Sequence, residues 1–280
     1  MTEPTALYNS VAPLANVARL AQLIKRIEQR ENGLPGLGCI HGRAGLGKTT
    51  AAIYATNSLN ACHVEALPIG GVKGLLKMIA TELGERPQKT TDGIFEQICH
   101  QLARSQRPLI IDEADHILND RSIEIVRRIH DVSYVPVILM GEENLPQRLQ
   151  RWERVHSRIL SWIGMEEASP QDVDHLARIY ARDLTLGPDL KAALLAASRG
   201  SIRNVSTNLA HVKEFATVRG LQEISLALWG ARAFHTGEAP TPRNGPAPRQ
   251  AAAARRKGAR STMSARASTS RTRRASSWAM

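Results

Sequence analysis

The chain has 280 residues, a formal net charge of +11 and 42% hydrophobic residues. This composition is typical of a soluble globular protein that is long enough for one large domain or two small ones. No apolar run reaches about eighteen residues, so we expect no membrane span. The first residues lack the basic-then-apolar pattern of a secretory signal. The three cysteines show no metal-ligand spacing and cannot complete a disulfide framework, which favours a cytoplasmic protein.

The positive charge is concentrated at the C-terminus. Residues 237–280 contain ten Lys or Arg residues and one Glu, a net +9, which leaves +2 for the preceding 236 residues. The stretch has no Leu, Ile, Val or Phe, so it cannot bury the apolar surface that offsets the entropy of ordering. It predicts a disordered basic tail that contacts nucleic acid, the alternative being a solubilising end. The tail residues predicted to bind DNA are Arg255, Arg256, Lys257, Arg260, Arg271, Arg273 and Arg274.

The first part of the chain alternates between helical and strand patterns. Apolar residues at helical spacing predict a helix over residues 11–30, which stops at Asn32-Gly33. Further helices are predicted over residues 49–59, 72–83, 91–104 and 121–130. Short apolar strands are predicted over residues 37–40, 62–67, 108–111, 135–140 and 159–163. Strands that alternate with helices predict an α/β fold, with a parallel sheet covered by helices on both faces.

From residue 169 the pattern becomes helical only. Helices are predicted over residues 171–183, 187–198, 201–219 and 221–234, and Pro170 and Pro188 lie where helices often begin. We therefore predict an α/β domain with its N-terminal helix over residues 1–168, a small all-helical lid domain over 169–236, and the basic tail over 237–280.

A phosphate-binding loop follows the first strand. Residues 42–49 match G-x-x-x-x-G-K-[ST] at every position, between an apolar strand and a helix. Glycines let backbone N–H groups turn toward phosphates, and the following helix directs its positive end at them. We expect Lys48 to contact the β- and γ-phosphates of ATP, and Thr49 to bind Mg²⁺. The residues predicted to hold the nucleotide are Gly42, Arg43, Ala44, Gly45, Leu46, Gly47, Lys48, Thr49 and Thr50.

Two acidic residues follow the third strand. We expect Asp112 to hold Mg²⁺ through water, and Glu113 to activate or orient the water that attacks ATP. Acidic residues after a strand also occur as helix caps, but their pairing with the loop at Lys48 favours ATP hydrolysis. Residues 112–115 also spell the helicase box DEAD. That reading is weak, because the roughly 120 residues before the tail leave no room for a second motor domain.

The order of the remaining signals resembles AAA+ ATPases of the replication-initiator type. Residues 153–159 resemble the R-x-x-S-R "box VII" of that group. The resemblance implies that Arg158 is an arginine finger that reaches the ATP of a neighbouring subunit, with Arg154 as support or second choice. The alternative is a solvated basic helix face.

The same resemblance supplies two sensor positions. Residues 200–204 resemble "sensor 2", which implies that Arg203 contacts the γ-phosphate from the lid. A basic residue in the first turn of a helix is disfavoured by the dipole, so an anionic partner would help to explain it. For "sensor 1", after the strand that ends near Met140, the resemblance implies Asn144, with Glu142 and Glu143 as alternatives.

Within that group the plan most resembles the transposition ATPases of the phage Mu B and Tn7 kind. The resemblance spans about residues 7–235 and rests on IIDEADHI at 110–117, on ILMG at 138–141 followed by Leu145, and on one helix leading directly into the phosphate loop. We expect no separate N-terminal DNA-binding domain like that of the Mu protein, and the basic tail is expected to replace part of its function.

This resemblance implies an ATP- and Mg²⁺-dependent ATPase that binds duplex DNA without sequence preference, because its contacts go to phosphates. It would assemble as a filament or ring on target DNA in the cytoplasm of a bacterium or phage-infected host, and deliver that DNA to a transposase. Lys73 and Lys77 lie where this group often contacts DNA, the alternative being a plain amphipathic helix. Other candidate functions are a helicase loader or replication-initiation ATPase, and an AAA+ switch whose partner is protein alone.

Overall fold

In the computed structural model, which describes residues 14–238, an amphipathic helix leads into the first strand. This helix, α1 (Ala15–Glu28), turns one apolar face inward, because its apolar residues recur every three to four positions. The buried face consists of Val17, Leu20, Leu23, Ile24 and Ile27. It packs on the second helix and the first strand. Residues 11–13 of the predicted helix lie outside the described residues.

The central part of the chain alternates five strands with helices, as the periodicity predicts. The strands are β1 (Leu37–His41), β2 (Cys62–Glu65), β3 (Leu109–Asp112), β4 (Val137–Gly141) and β5 (Ile159–Gly164). The helices are α2 (Lys48–Leu59), α3 (Gly71–Glu82), α4 (Thr91–Ser105), α5 (Asp120–Ser133), α6 (Leu145–Leu149) and α7 (Glu153–His156). The two short helices, α6 and α7, were not predicted.

All five strands run parallel in the order β2-β3-β4-β1-β5. Strands β3 and β4 are buried along their whole length, as expected for central strands covered on both faces. The parallel-sheet α/β fold is therefore confirmed. Because β4 separates β1 from β3, the loops that follow these three strands meet at one edge of the sheet, where ligands bind in such folds.

Two apolar layers cover the sheet. One contains α1, α2 and the C-terminal helices, and it receives Ile40, Ile110, Ile138 and Met140 from the strands. The other contains α3, α4 and α5, and it receives Leu37, Cys39, Leu109, Ile111, Val137 and Leu139. The alternation follows from the two-residue period of a strand. All three cysteines are free and buried, as the sequence suggests.

The C-terminal part of the described chain is mainly helical, with one exception to the prediction. Its helices are α8 (Pro170–Tyr180), α9 (Pro188–Ser198), α10 (Ile202–Val218) and α11 (Leu226–Trp229). Two very short strands, β6 (Thr185–Leu186) and β7 (Glu223–Ile224), pair in parallel, so this part is not all-helical. No helix among residues 14–238 is long and apolar enough to cross a membrane.

The helix predicted over residues 221–234 is wrong. Its first residues pair instead with the segment before α9, since Gln222 O accepts a hydrogen bond from Thr185 N and Ile224 O accepts one from Gly187 N. Only one turn, α11, follows, and it ends at Gly230 with a φ of +69°. A domain division at residues 168 and 236 remains a prediction. The tail from Ala239 onward, with its seven predicted DNA-binding residues, lies outside the described residues.

Gly36, just before β1, provides a test of the packing at the amino ends of the strands. A Cβ there would overlap with the ring of His130. That ring is buried and fixed, because its Nδ1–H donates a hydrogen bond to Val135 O at 2.8 Å. We predict that Gly36→Ala lowers the free energy of unfolding by about 1–3 kcal/mol through overpacking. Urea denaturation followed by circular dichroism measures this change.

Gly74→Ala provides the matched control, because the same methyl group is added inside α3 in ordinary contact with its surroundings. The nearest atom to a Cβ at Gly74 is Ile69 O, at 3.5 Å. Since glycine in a helix interior costs about 0.5–1 kcal/mol relative to alanine, this variant should raise the free energy of unfolding by a similar amount. A loss of stability in both variants, or in neither, would contradict the packing argument at Gly36.

Candidate functional site

The loop between β1 and α2 has the backbone geometry of a phosphate cradle. Gly45 and Gly47 have φ values of +84° and +86°, in the left-handed region that favours glycine. Gly47 is the N-cap of α2, so the unpaired N–H groups of the first helical turn face the loop. Gly42 N donates a hydrogen bond to Gly141 O at 3.3 Å, which joins the loop to the end of β4. The arrangement can bind a phosphate chain.

Lys48 is held inside this loop. Its side chain is buried, and Nζ donates hydrogen bonds to Gly42 O at 2.7 Å and to Arg43 O at 3.1 Å. Burial lowers the pKa of Lys48, while the carboxylates of Glu113 and Asp112 act in the opposite direction. The loop therefore holds an ammonium group whose present partners are neutral carbonyl oxygens.

Thr49 and Asp112 bring the loop and the third strand together. Thr49 Oγ1 donates a hydrogen bond to Asp112 Oδ2 at 2.9 Å, and Glu113 N donates one to Asp112 Oδ1 at 2.9 Å. Burial alone would raise the pKa of Asp112, but nearby His63 and these two hydrogen bonds outweigh it and lower the pKa. Asp112 is therefore a buried carboxylate at neutral pH.

The oxygens of Thr49 and Asp112 fit Mg²⁺, which prefers oxygen ligands and is usually held by one or two protein groups with substrate phosphates and water. Residues 14–238 contain no group of three or more His, Cys, Asp or Glu side chains that could form a protein-only metal site.

Glu113 occupies an unusual backbone conformation beside these groups. Its φ is +51° and its ψ is 38°, the left-handed region, where a side chain costs about 1–3 kcal/mol. The residue opens the 3-10 turn Ala114–Ile117, in which His116 N donates a hydrogen bond to Glu113 O at 3.0 Å. The turn carries the Glu113 side chain to the wall of a cavity above the phosphate loop.

A cavity of about 560 Å³ opens above the loop, within the usual size range for a small-molecule site. From the α/β side it is lined by Ala44, Gly45, Gly47, Lys48, Thr49, Thr50, Glu113 and Glu142. From the helical side it is lined by Tyr180, Ile202, Arg203, Ser206, Thr207, Ala210 and His211. The predicted residues Lys48, Thr49, Glu113 and Arg203 therefore surround one space, with Asp112 directly behind Thr49.

Helix α10 contacts the phosphate loop directly. Arg203 N donates a hydrogen bond to Gly45 O at 3.2 Å, and Ser201 Oγ donates one to the same oxygen at 3.4 Å. A Cβ at Gly45 would lie 2.6 Å from Ser201 Oγ, so the close approach also needs glycine. The exposed side chain of Arg203 thus begins next to the loop, where a basic residue in the first turn of a helix can meet an anion.

The loop after β4 separates the three candidates for the sensor 1 position. Glu142 lines the nucleotide cavity together with Glu113. Glu142 also lines a neighbouring cavity, and Asn144 and Glu143 line only that second one, with Arg43, Ala44 and Gln147. Of the three candidates, only Glu142 borders the cavity above the phosphate loop, and the choice of Asn144 as sensor 1 stays a prediction.

The remaining predicted residues lie away from the nucleotide cavity. Arg158 is at the amino end of β5, 48% exposed, with its Nε 3.4 Å from Asp131 Oδ1. Arg154 is exposed on α7. Lys73 and Lys77 are exposed on one face of α3, and Lys73 Nζ donates a hydrogen bond to Lys89 O at 2.8 Å. None of these four side chains lines the cavity.

Several residues of the site were missed from the sequence. Tyr180 and His211 reach the cavity from helices that are distant in sequence, and no local motif marks them. His63 lies in β2 with its Nε2 3.8 Å from Asp112 Oδ2, beyond hydrogen-bond distance. Within the described part of the chain this buried nitrogen has no hydrogen-bond partner. The only sequence signal for His63 was that a polar residue lies inside a short predicted strand.

Comparison with known proteins identifies the same region. Residues 31–149 match the family model described as an AAA domain. The Holliday junction branch migration complex subunit RuvB of Lactobacillus helveticus is 26% identical over 212 residues, which cover 73% of this chain and 58% of that protein. The chain therefore spans less than two thirds of that curated relative.

Solved structures share the architecture at low sequence identity. Aeropyrum pernix Orc1 in complex with DNA has a TM-score of 0.54 at 20% identity, covering 75% of this chain and 61% of that one. Pyrobaculum aerophilum Cdc6p has a TM-score of 0.58 at 14% identity, covering 79% and 66%. The Thermotoga maritima RuvB branch migration motor has a TM-score of 0.53 at 18% identity, covering 78% and 67%.

These structural likenesses establish the fold, and the family match includes both the phosphate loop and the Asp112-Glu113 pair. Strand order, loop geometry and the family match point to the same conclusion. Residues 31–149 match an AAA domain, and the chain has the parallel-sheet P-loop fold of the Orc1, Cdc6p and RuvB structures. Together these matches support an ATP-hydrolysing enzyme.

Proposed function

We propose that this chain is an ATPase that assembles on duplex DNA when ATP is bound, and that presents the DNA to a transposase. The observation that carries the proposal is the cavity in which the phosphate loop, the Asp112-Glu113 pair and Arg203 of α10 meet. Such a cavity can couple the state of a bound nucleotide to the position of the helices above it.

The proposed hydrolysis divides its tasks among residues of this cavity. Lys48 would neutralise charge on the β- and γ-phosphates, and the buried carboxylate of Asp112 with the Thr49 hydroxyl would hold Mg²⁺. When bound, Mg²⁺ supplies further charge neutralisation at the phosphates. Glu113 orients the attacking water, and Glu142 borders the same space. Arg203 contacts the γ-phosphate from the lid.

The position of Arg158 supports hydrolysis between subunits. Its chain segment is at the amino end of β5, whereas the nucleotide cavity lies at the carboxyl ends of β1 and β3. A guanidinium at that position is too far away to act in the nucleotide cavity of its own subunit. Because it is exposed, it can reach the cavity of a neighbouring subunit. We infer a head-to-tail assembly, a filament or ring, in which Arg158 completes the next subunit's site, supported by Arg154.

Binding to duplex DNA is supported by charge and by the kinds of protein that share the fold. Lys73 and Lys77 are exposed one turn apart on α3, so they can follow a phosphate backbone together. The basic residues of 237–280 add sequence-independent affinity. One similar structure is an Orc1 protein in complex with DNA, and another is a branch migration motor.

The transposase role rests on the sequence resemblance to transposition ATPases. A replication-initiation ATPase or helicase loader is the second candidate, and it is favoured by the likeness to Orc1 and Cdc6p. A protein-only AAA+ switch is the third, and it requires no DNA binding. The three differ in their response to nucleic acid and in the partner they activate.

The central test measures ATP hydrolysis with and without non-specific duplex DNA at low and moderate salt. We predict that duplex DNA stimulates turnover more than single-stranded DNA does, and that Lys48→Ala abolishes the turnover with a loss of at least about 100-fold. Purified with the transposase of the same mobile element, the DNA-bound protein should raise the rate of insertion. Turnover that ignores DNA, with no DNA retained at low salt, would leave the protein-only switch.

A mixing experiment tests the assignment of Arg158. Arg158→Ala and Glu113→Gln should each lower kcat by at least about 100-fold, because each removes one half of the composite site. In an equal mixture, about a quarter of the head-to-tail interfaces combine an intact cavity with an intact finger, so turnover should return to roughly that fraction. A mixture as inactive as either variant alone would place Arg158 outside the interface.

The DNA role of α3 is tested by the salt dependence of binding. We predict that Lys73→Ala combined with Lys77→Ala makes the plot of the logarithm of the binding constant against the logarithm of salt concentration less steep by about two. The reason is that each lysine neutralises one phosphate. The control combines Lys25→Ala with Lys213→Ala, which removes the same charge from exposed positions of α1 and α10. Equal slopes for the two double variants, measured by fluorescence anisotropy on duplex DNA, would assign the α3 lysines to a plain exposed face.

A further inference from the structure

The fourth residue of the DEAD segment has a structural task that the ATPase mechanism above does not use. Asp115 lies in the 3-10 turn that follows Glu113, and its side chain is only 9% exposed. Its Oδ2 accepts a hydrogen bond from Glu142 N at 2.7 Å. Its Oδ1 accepts one from Arg148 Nη1 at 2.6 Å, and its backbone O accepts one from Arg148 Nη2 at 3.2 Å. One side chain thus joins the ends of β3 and β4 to α6.

The approach of Asp115 to β4 depends on Gly141. A Cβ at Gly141 would overlap with Asp115 Oδ2, and it would lie 2.9 Å from Leu145 Cδ2. A side chain at that position would therefore push the carboxylate away from Glu142 N. The close approach of Asp115 explains the glycine at the end of β4.

The two segments that Asp115 joins both carry carboxylates of the nucleotide cavity. Glu113 is two residues before it in the strained turn, and Glu142 is its direct hydrogen-bond partner through the backbone. Both line the cavity, whereas Asp115 supports them from behind. A third carboxylate in that position is costly unless it is paired, and Arg148 supplies the compensating charge.

Arg148 extends the connection toward the proposed subunit interface. It lies on α6, which is followed by α7 with Arg154 and by Arg158 at the start of β5. Displacement of α6 relative to the sheet edge would therefore pull on Asp115 and on the turn that holds Glu113. A connection of two charge-assisted hydrogen bonds is short and directional, as a positioning contact requires.

We propose that Asp115 is a positioning residue, which sets the spacing of Glu113 and Glu142 across the carboxyl ends of β3 and β4 and ties both to α6 through Arg148. The inference rests on the proposed ATP hydrolysis for its kinetic consequence, and on geometry alone for its structural consequence. The three acidic residues of the DEAD segment, Asp112, Glu113 and Asp115, are thus explained without a helicase role.

The kinetic test compares Asp115→Ala with the wild type in the presence of duplex DNA. We expect kcat to fall by about 10- to 100-fold, because a displacement of about 1 Å at a reacting group has effects of that size. KM for ATP should change by less than about two-fold, since Lys48, Thr49 and the loop are untouched. Asp115→Asn, whose single side-chain oxygen can still accept the hydrogen bond from Glu142 N, should recover part of the lost kcat.

Arg148→Ala and a matched control separate positioning from general damage. Arg148→Ala leaves the bond to Glu142 N in place, so its loss of kcat should be smaller than that of Asp115→Ala. Asp174→Asn disrupts another acid–base pair, at 2.8 Å from Lys191, and should leave kcat unchanged. If kcat, ATP affinity and melting temperature all fall together in Asp115→Ala, or if none changes, the positioning role is overturned.

Amide hydrogen exchange decides the structural half without hydrolysis. In Asp115→Ala, exchange should rise in a peptide covering residues 141–145, because the Glu142 amide loses its acceptor, and it should stay unchanged in Asp174→Asn. Faster exchange in Asp115→Ala, combined with a wild-type protein that shows no ATP hydrolysis, would contradict the proposed function and support the positioning contact. Unchanged exchange beside wild-type hydrolysis would do the reverse.

Discussion

The hydrogen bond from Thr49 to Asp112 joins the two halves of the site, and the strand order is what allows it. Thr49 follows β1 and Asp112 ends β3, with only β4 between these strands in the parallel sheet. Because parallel strands present their carboxyl ends at one edge, the phosphate loop and the acidic pair meet there although they are far apart in the sequence. The buried, hydrogen-bonded carboxylate of Asp112 then fixes a negative charge beside the first turn of α2, where a divalent cation and phosphates can share it.

The helical part completes this edge from above, since α10 begins with two hydrogen bonds to Gly45 O and directs Arg203 over the loop. The amino ends of the same strands carry Arg158 at the opposite edge of the sheet. A parallel sheet thus separates a nucleotide cavity from a potential trans-acting arginine by the length of its strands. In the proposed head-to-tail assembly, this separation would favour stacking in one direction, with opposite edges of neighbouring copies facing each other.

Much of this fold is readable from the sequence, for identifiable reasons. Burial imposes a regular spacing of apolar residues on the sequence, and this spacing can be recognised. Strands β1, β3 and β4 are apolar on both faces. Helix α3, predicted over residues 72–83, runs from Gly71 to Glu82. The phosphate loop is local, so its motif contains its geometry. The pair of β6 and β7 and the failure of the helix over 221–234 depend on tertiary pairing between Thr185 and Gln222, which no local pattern records. The presence of Tyr180, His211 and Glu142 around one cavity likewise follows from the packing of distant segments.

The balance of charge in the cavity gives the proposed assembly an electrostatic basis. Lys48 lies in the field of four carboxylates, those of Glu113, Asp112, Asp115 and Glu142. Arg203 contributes one positive charge from α10, and Arg148 compensates Asp115 from outside the cavity. A polyphosphate that enters this space meets carboxylates as well as cations. Because the cavity has few positive charges of its own, Mg²⁺ and a further arginine would stabilise the negative charge of the transition state. A neighbouring subunit can supply that arginine only after assembly, which would make turnover depend on the DNA-bound array and keep ATP intact in isolated copies.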